Sequence, residues 1–251
     1  MNQMKRIGLI IGLMLLALTA VSCSVLQEPE EASAPIEAAP IEAAPIEEEA
    51  AVAEPEAEME ADAETEEMEA VAESNPITFQ IVQAESEARF MLDELLKGSP
   101  KTVIGVTDQV AGELLVDFAN PADAQVGTIN INARTLTTDN DFRNNAIKNK
   151  ILETDAYEFI TFTPTAITGL PDHVNVGDTF TFEMTGDLTI RDITDEVVFV
   201  VSITAVSESR LEGLATGIVA REAYNLTIPS VPAVAEVDEN VVIELDFVAI
   251  P

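Results

Sequence analysis

Residues 179–203, TFTFEMTGDLTIRDITDEVVFVVSI, decide how the rest of the chain is read. Phe180, Phe182, Met184, Leu188 and Ile190 alternate with Thr181, Glu183, Thr185, Asp187 and Thr189, the period of a strand with one dry and one wet side. With Arg191-Asp192 as the central residues of a tight turn, an antiparallel partner sets Phe180 opposite Ile203, Phe182 opposite Val201, Met184 opposite Phe199 and Ile190 opposite Ile193. Both arms then show apolar side chains on one face, and a slip of a single residue destroys that agreement. Arg-Asp tolerates positive φ less well than Asn-Gly, so the facing pattern rather than the turn pair specifies this hairpin.

On the C-terminal side, Arg210–Gly217 turns into Ile218–Tyr224, a Pro-rich link follows at Ile228–Pro232, and NVVIELDFVAI closes the chain with Ile243, Leu245, Phe247 and Ala249 on one face. On the N-terminal side, Tyr157–Ile167 reads as a strand with Ile160 and Phe162 on its dry face, and Gly169–Asp178 reads as a loop. Thr138–Ile151 changes period. Thr138 or Asp139 is the capping candidate, and Phe142, Ala146, Ile147 and Ile151 form one side of a short helix. Thr128–Leu136 alternates as a strand carrying Ile129, Ile131 and Ala133. Further back, KTVIGVTDQVAGELLVDF forms one or two strands bent at Gly105 and Gly112, ARFMLDELL places Ala88, Phe90 and Leu92 together, and Ile77–Gln83 begins the domain with Phe79 and Ile81. Many alternating strands and one short helix describe an antiparallel all-β domain over 76–251, either a sandwich or a closed barrel.

The first 75 residues differ in kind. Lys5 and Arg6, the apolar run IGLIIGLMLLAL and a zone of small residues make 1–22 an expected export signal. Leu18-Thr19-Ala20-Val21-Ser22-Cys23 resembles a bacterial lipobox, with Ala20 where Leu is usual, and Cys23 is the only cysteine of the chain. The resemblance implies lipidation of Cys23 and a membrane-anchored protein facing the periplasm or the cell exterior. Residues 23–75 are rich in Ala, Pro and Glu, with APIEAAPIEAAPIEEEA at their centre and no Lys or Arg before Arg89. Self-repelling carboxylates and few apolar groups predict a disordered acidic tether, a spacer rather than a calcium site, since no D-x-D-x-D-G spacing occurs.

The net charge of −34 repels a phosphate backbone, which excludes nucleic acid as a partner, and opposes charge-driven binding to an anionic lipid surface. One cysteine gives no internal disulfide and no thiol metal cluster. His173, the sole histidine, sits in a Pro-Asp-His-Val loop and reads as a surface residue. No nucleophile elbow, phosphate loop or histidine metal set is present, so the chain reads as a binding protein and not an enzyme, with no cofactor beyond a bound lipid.

The domain resembles the YceI-like family of secreted, lipocalin-like, polyisoprenoid-binding barrels. The residues that carry the likeness are Gly186-Asp187-Leu188-Thr189-Ile190 with Ile193-Thr194 and Val197; Arg143-Asn144-Asn145 through Ile147-Lys148-Asn149, Leu152-Glu153-Thr154 and Tyr157; and Val242-Ile243-Glu244-Leu245. Asp192 stands where the family usually has Gly, and Glu158 and Glu196 where Pro is common. The resemblance implies a closed antiparallel barrel of about eight strands that holds a long-chain amphiphile, such as an isoprenoid, an isoprenoid quinone or a fatty acyl lipid, along its axis.

The residues expected to line that tunnel are Phe79, Phe90, Ile129, Ile131, Ile160, Phe162, Phe180, Phe182, Met184, Phe199, Val201 and Phe247, though a collapsed core would use the same side chains. Arg89, Arg134, Arg143 and Asn145 are the head-group candidates at a tunnel mouth. A structural or adhesive surface protein with a solid barrel is the alternative. The sequence leaves the oligomeric state open, a homodimer included.

Overall fold

The computed structural model describes residues 28–33, 36–41 and 75–251. The expected export segment, Cys23 and most of the acidic tether lie outside the described residues.

The β strands are β1 (Ile77–Ile81), β2 (Glu87–Leu96), β3 (Ser99–Thr107), β4 (Val110–Ala111), β5 (Glu113–Val116), β6 (Gln125–Val126), β7 (Ile129–Asn132), β8 (Phe159–Thr168), β9 (Thr179–Ile190), β10 (Ile193–Ser207), β11 (Arg210–Ala220), β12 (Val234–Val237) and β13 (Asn240–Ile250). Among the described residues one α-helix, α1 (Asp141–Ala146), follows β7. The strands form a single curled sheet in the order β4-β7-β8-β9-β10-β11-β13-β1-β5-β6, with β2 pairing β3, β12 and β13. β4 and β5, at or near opposite ends of this path, are separated in the chain by Gly112 alone, so the sheet curls back toward itself.

The hairpin of β9 and β10 has the register that its alternation dictates: Phe180 faces Ile203, Phe182 faces Val201, Met184 faces Phe199 and Ile190 faces Ile193. Arg191 takes the left-handed conformation at φ 59°. Its guanidinium donates to the Ile151 carbonyl at 3.1 Å, which ties the strained turn to the segment after α1. Asp187 and Glu196 face each other on the wet side, as the register requires.

Strands are shorter and more numerous than the sequence period suggests where local hydrogen bonds or close approaches interrupt them. The Gln109 amide donates to the Thr107 hydroxyl at 3.0 Å, a local bond that ends β3. At Gly112 an added Cβ would lie 2.3 Å from Ile129 Cδ1, so the Ile129 side chain packs into the space that the glycine leaves. Arg210–Ala220, in contrast, is one unbroken strand with no turn at Gly217.

Helix α1 departs from expectation in two ways. Its cap is Asn140, whose side chain accepts from the Arg143 amide at 3.0 Å, while the Thr138 hydroxyl is engaged with Asn144. Beyond Ala146 the chain widens into a π turn over Ile147–Ile151, closed by the Leu152 amide donating to the Ile147 carbonyl at 2.8 Å. At 3.6 residues per turn Phe142 and Ile147 stand about 140° apart, so burying one exposes the other. Ile147 is buried and Phe142 is 84% exposed, which corrects the placement of Phe142 on the dry side.

Part of the acidic segment lies against the sheet as an extended strap. The Glu30 amide donates to the Asp155 carboxylate at 3.0 Å, and the Ser33 amide and hydroxyl donate to the two Glu158 oxygens at 2.6 and 2.7 Å. Further along, the Gln83 side chain donates to the Ile36 carbonyl at 3.1 Å, and the Ile41 amide donates to Glu113 at 3.2 Å. The expected disorder of 23–75 therefore does not extend to 28–33 and 36–41.

Candidate functional site

Alternation along β2, β7, β8, β9, β10, β11 and β13 directs apolar side chains into the concave side of the sheet, where three spaces remain among them. A mouth chamber of about 160 Å³ is bounded by Leu92, Val103, Ile147, Ile151, Val219 and Leu226, with Glu94, Arg143 and Arg221 at its edge. A middle chamber of about 100 Å³ is bounded by Ile129, Ile131, Phe162, Met184, Phe199 and Ala215. Phe90, Leu136, Ile160, Ile190 and Ile243 border both, so the two are adjoining parts of one apolar space. A far chamber of about 40 Å³ lies among Leu114, Phe118, Val126, Ile167, Phe180 and Phe182.

Nine of the twelve expected lining residues border one of these chambers: Phe90, Ile129, Ile131, Ile160, Phe162, Met184 and Phe199 on the mouth side, Phe180 and Phe182 on the far side. Phe79, Val201 and Phe247 border none of the three and are packed in the core. Phe79 meets Phe118 edge to face with ring centroids 6.2 Å apart. The Phe247 ring lies over Gly213, where a Cβ would meet it at 2.5 Å. Val201 stands on β10 between Phe199 of the middle chamber and Ile203 of the far one, so the axis is interrupted by packed side chains rather than open throughout.

The Phe90 ring is a wall shared by the mouth and middle chambers. It occupies the gap over Gly105, where a Cβ would stand 2.1 Å from its Cε1. The absence of a side chain at residue 105 thus draws Phe90 back against β3 and keeps the two chambers open to each other.

Family comparison agrees with this architecture. The sequence description of the YceI-like domain matches residues 79–249. The chain belongs to the YceI-like family. Among solved structures, BcnA of Burkholderia cenocepacia is similar with 17% identity and a TM-score of 0.53, over 67% of this chain and 98% of that one. A polyisoprenoid binding domain from Saccharophagus degradans, implicated in plant cell wall breakdown, is similar with 13% identity and a TM-score of 0.53, over 68% of this chain and 97% of that one. A search of the curated proteins finds no match.

The head-group candidates of this YceI-like domain lie in different places. Arg143 is at the mouth, where its guanidinium pairs with Glu94 at 3.0 Å, and Glu94 is only 8% exposed. Arg89 borders the middle chamber together with Glu244, and its guanidinium pairs with Glu244 at 3.0 Å and Asp246 at 3.3 Å. Arg134 borders none of the three chambers, pairing with Glu158 at 3.1 Å and Glu30 at 3.2 Å and donating to the Thr154 carbonyl. Asn145 is exposed on α1 and borders none of the three chambers.

Two mouth residues escaped the sequence reading. Glu94 was legible in principle, since the period of β2 places it in line with Phe90 and Leu92, a charge in an apolar series that requires a buried partner. Arg221 had no such signal. It donates to the Asp238, Leu226 and Val237 carbonyls and pairs with Glu239 at 3.0 Å, holding the loop 225–239 against the mouth.

Electrostatics elsewhere are structural. Burial pushes the Glu158 carboxyl up, but the Ser33 amide and hydroxyl, the Asn132 side chain and the Arg134 guanidinium together hold it below its ordinary value. His173 is exposed. Among the described residues no three His, Cys, Asp or Glu side chains converge on a metal position.

Proposed function

We propose that this YceI-like protein is a membrane-tethered, extracytoplasmic binding protein that holds a long-chain amphiphile, an isoprenoid, an isoprenoid quinone or a fatty acyl lipid, with its tail in the joined mouth and middle chambers. The observation that carries this reading is the adjoining pair of apolar spaces, about 160 and 100 Å³, opening beside a buried ion pair. A dry apolar cavity of about 150 Å³ is enough to take up benzene, so this space suits a narrow hydrocarbon tail. The hydrocarbon gains about 25 cal/mol for each Å² withdrawn from water. Arg143 and Glu94, held by each other, present a donor and an acceptor to a polar head at the edge. The polyisoprenoid binding of the Saccharophagus degradans domain supports the same ligand class. Anchoring rests on Cys23 in its lipobox-like context, and the role is carriage rather than catalysis.

Organic extraction and native mass spectrometry of the purified full chain test this. A lipid near one per chain is the expected result. Absence of lipid, together with failure to take up an added isoprenoid quinone, overturns the reading in favour of a structural surface protein.

A further inference from the structure

The strap gives the domain a direction. Its first contact, Glu30 on Asp155, falls three residues after Leu152, which borders the mouth chamber, whereas its later contacts at Gln83 and Glu113 descend toward the far half. From Cys23 to Glu30 is seven residues, which at 3.3–3.6 Å each span at most about 25 Å. A chain anchored at Cys23 with the strap in place is therefore held close to the membrane by its mouth end.

That same end carries large apolar side chains that the fold leaves in water. Phe142, directly before Arg143 on α1, is 84% exposed, and Val231, in the loop that contributes Leu226 and Ile228 to the mouth, is 47% exposed. Neither serves the core. An exposed aromatic and an aliphatic side chain flanking the entrance to an apolar chamber suit insertion into the interfacial region of a bilayer.

We propose that the mouth end is a lipid-surface docking face: the docked strap turns the chamber entrance toward the membrane, and Phe142 and Val231 seat it there, so that a tail passes between bilayer and chamber without crossing water. This rests on the reading of Cys23 as the anchor point and deepens the lipid-carrier function. A second exposed apolar group, Val198, Val200 and Ile218 on the outer wall of β10 and β11, supplies the competing geometry in which the domain lies on its side.

The chain has no tryptophan, so a single introduced one reports position. The chain from Cys23 onward, which keeps every described residue, is coupled through that thiol to a maleimide phospholipid in vesicles of brominated phosphatidylcholine. The expected result is strong loss of emission from a Phe142→Trp probe and little from a Val200→Trp probe. Releasing the strap with Glu30→Ala and Ser33→Pro, which leaves the sheet untouched, is expected to restore the Phe142→Trp emission. Equal quenching of both probes, quenching of neither, or quenching that survives strap release overturns the proposal. Lipid extraction from the same samples separates the two ideas, because a chain without bound lipid that still quenches at Phe142→Trp defeats the carrier reading and leaves the docking face standing.

Discussion

The mouth half and the far half of the apolar interior are built from the same kinds of residue and differ in how completely these fill the space. In the far half, aromatic rings meet each other: Phe79 against Phe118, Phe180 stacked on Phe182, and only about 40 Å³ left open. In the mouth half, the Phe90 ring lies over Gly105, Ala215 borders the middle chamber with a single methyl, and an ion pair occupies the edge. Packing that is complete maximises stability, because dispersion and transfer terms both reward contact. Packing left incomplete on one side of the same core gives up part of that gain and leaves room for a ligand. With the ligand in the mouth half, as proposed, fold stability and binding reside in different halves, and mutations should separate them.

The largest effect is expected from Phe79→Ala in the far half. Phe79 is 0% exposed, and its truncation should cost about 3–5 kcal/mol in denaturant unfolding, while lipid per folded chain stays unchanged. Loss of lipid without loss of stability would break the division. Next, Arg143→Met at the mouth strands the Glu94 carboxylate in apolar surroundings and should cost about 3 kcal/mol; adding Glu94→Leu should recover most of it, and a double-mutant cycle reads the coupling. Ala215→Leu is the complementary test. Filling the middle chamber should change stability by less than about 1.5 kcal/mol while abolishing lipid retention, as measured by extraction.

The smallest expected effect concerns the strap, which runs past both halves. Glu158 titrates below its ordinary value in the folded state, so its contribution is fully present above the unfolded value near 4.3 and is lost as pH falls through the lower folded value. Acidification through that window should release Ser33 first. The amide resonance of Ser33 followed from pH 7 downward measures it, and the chambers should be unaffected.

Much of this architecture was legible because alternation with one dry face admits only one register. The four facing pairs of β9 and β10 follow from period two alone, and the same period directs Phe90, Ile160, Phe162 and Met184 inward. Which inward residues border space and which fill it was not legible, since Val201 and Phe199 have the same pattern on the same strand. That depends on what lies opposite: glycine at 105 makes room beside Phe90, while Phe247 closes over Gly213. The strap was missed for a different reason. Its contacts are backbone amides and carbonyls meeting side chains more than 45 residues away, and no local pattern in an Ala-Pro-Ile-Glu repeat announces them.

The same strap decides where a pull on the N-terminal side is borne. Because Ile41 is held at Glu113 and the chain enters the sheet at Ile77, a pull applied ahead of the strap is carried by the strap's contacts and does not reach Ile77 while they last. If pulling on Cys23 peels the strap away, the leash runs out to Pro76, fifty-three residues and at most about 190 Å of reach. Under such a pull the chain gives up the strap's few hydrogen bonds before any strand of the sheet.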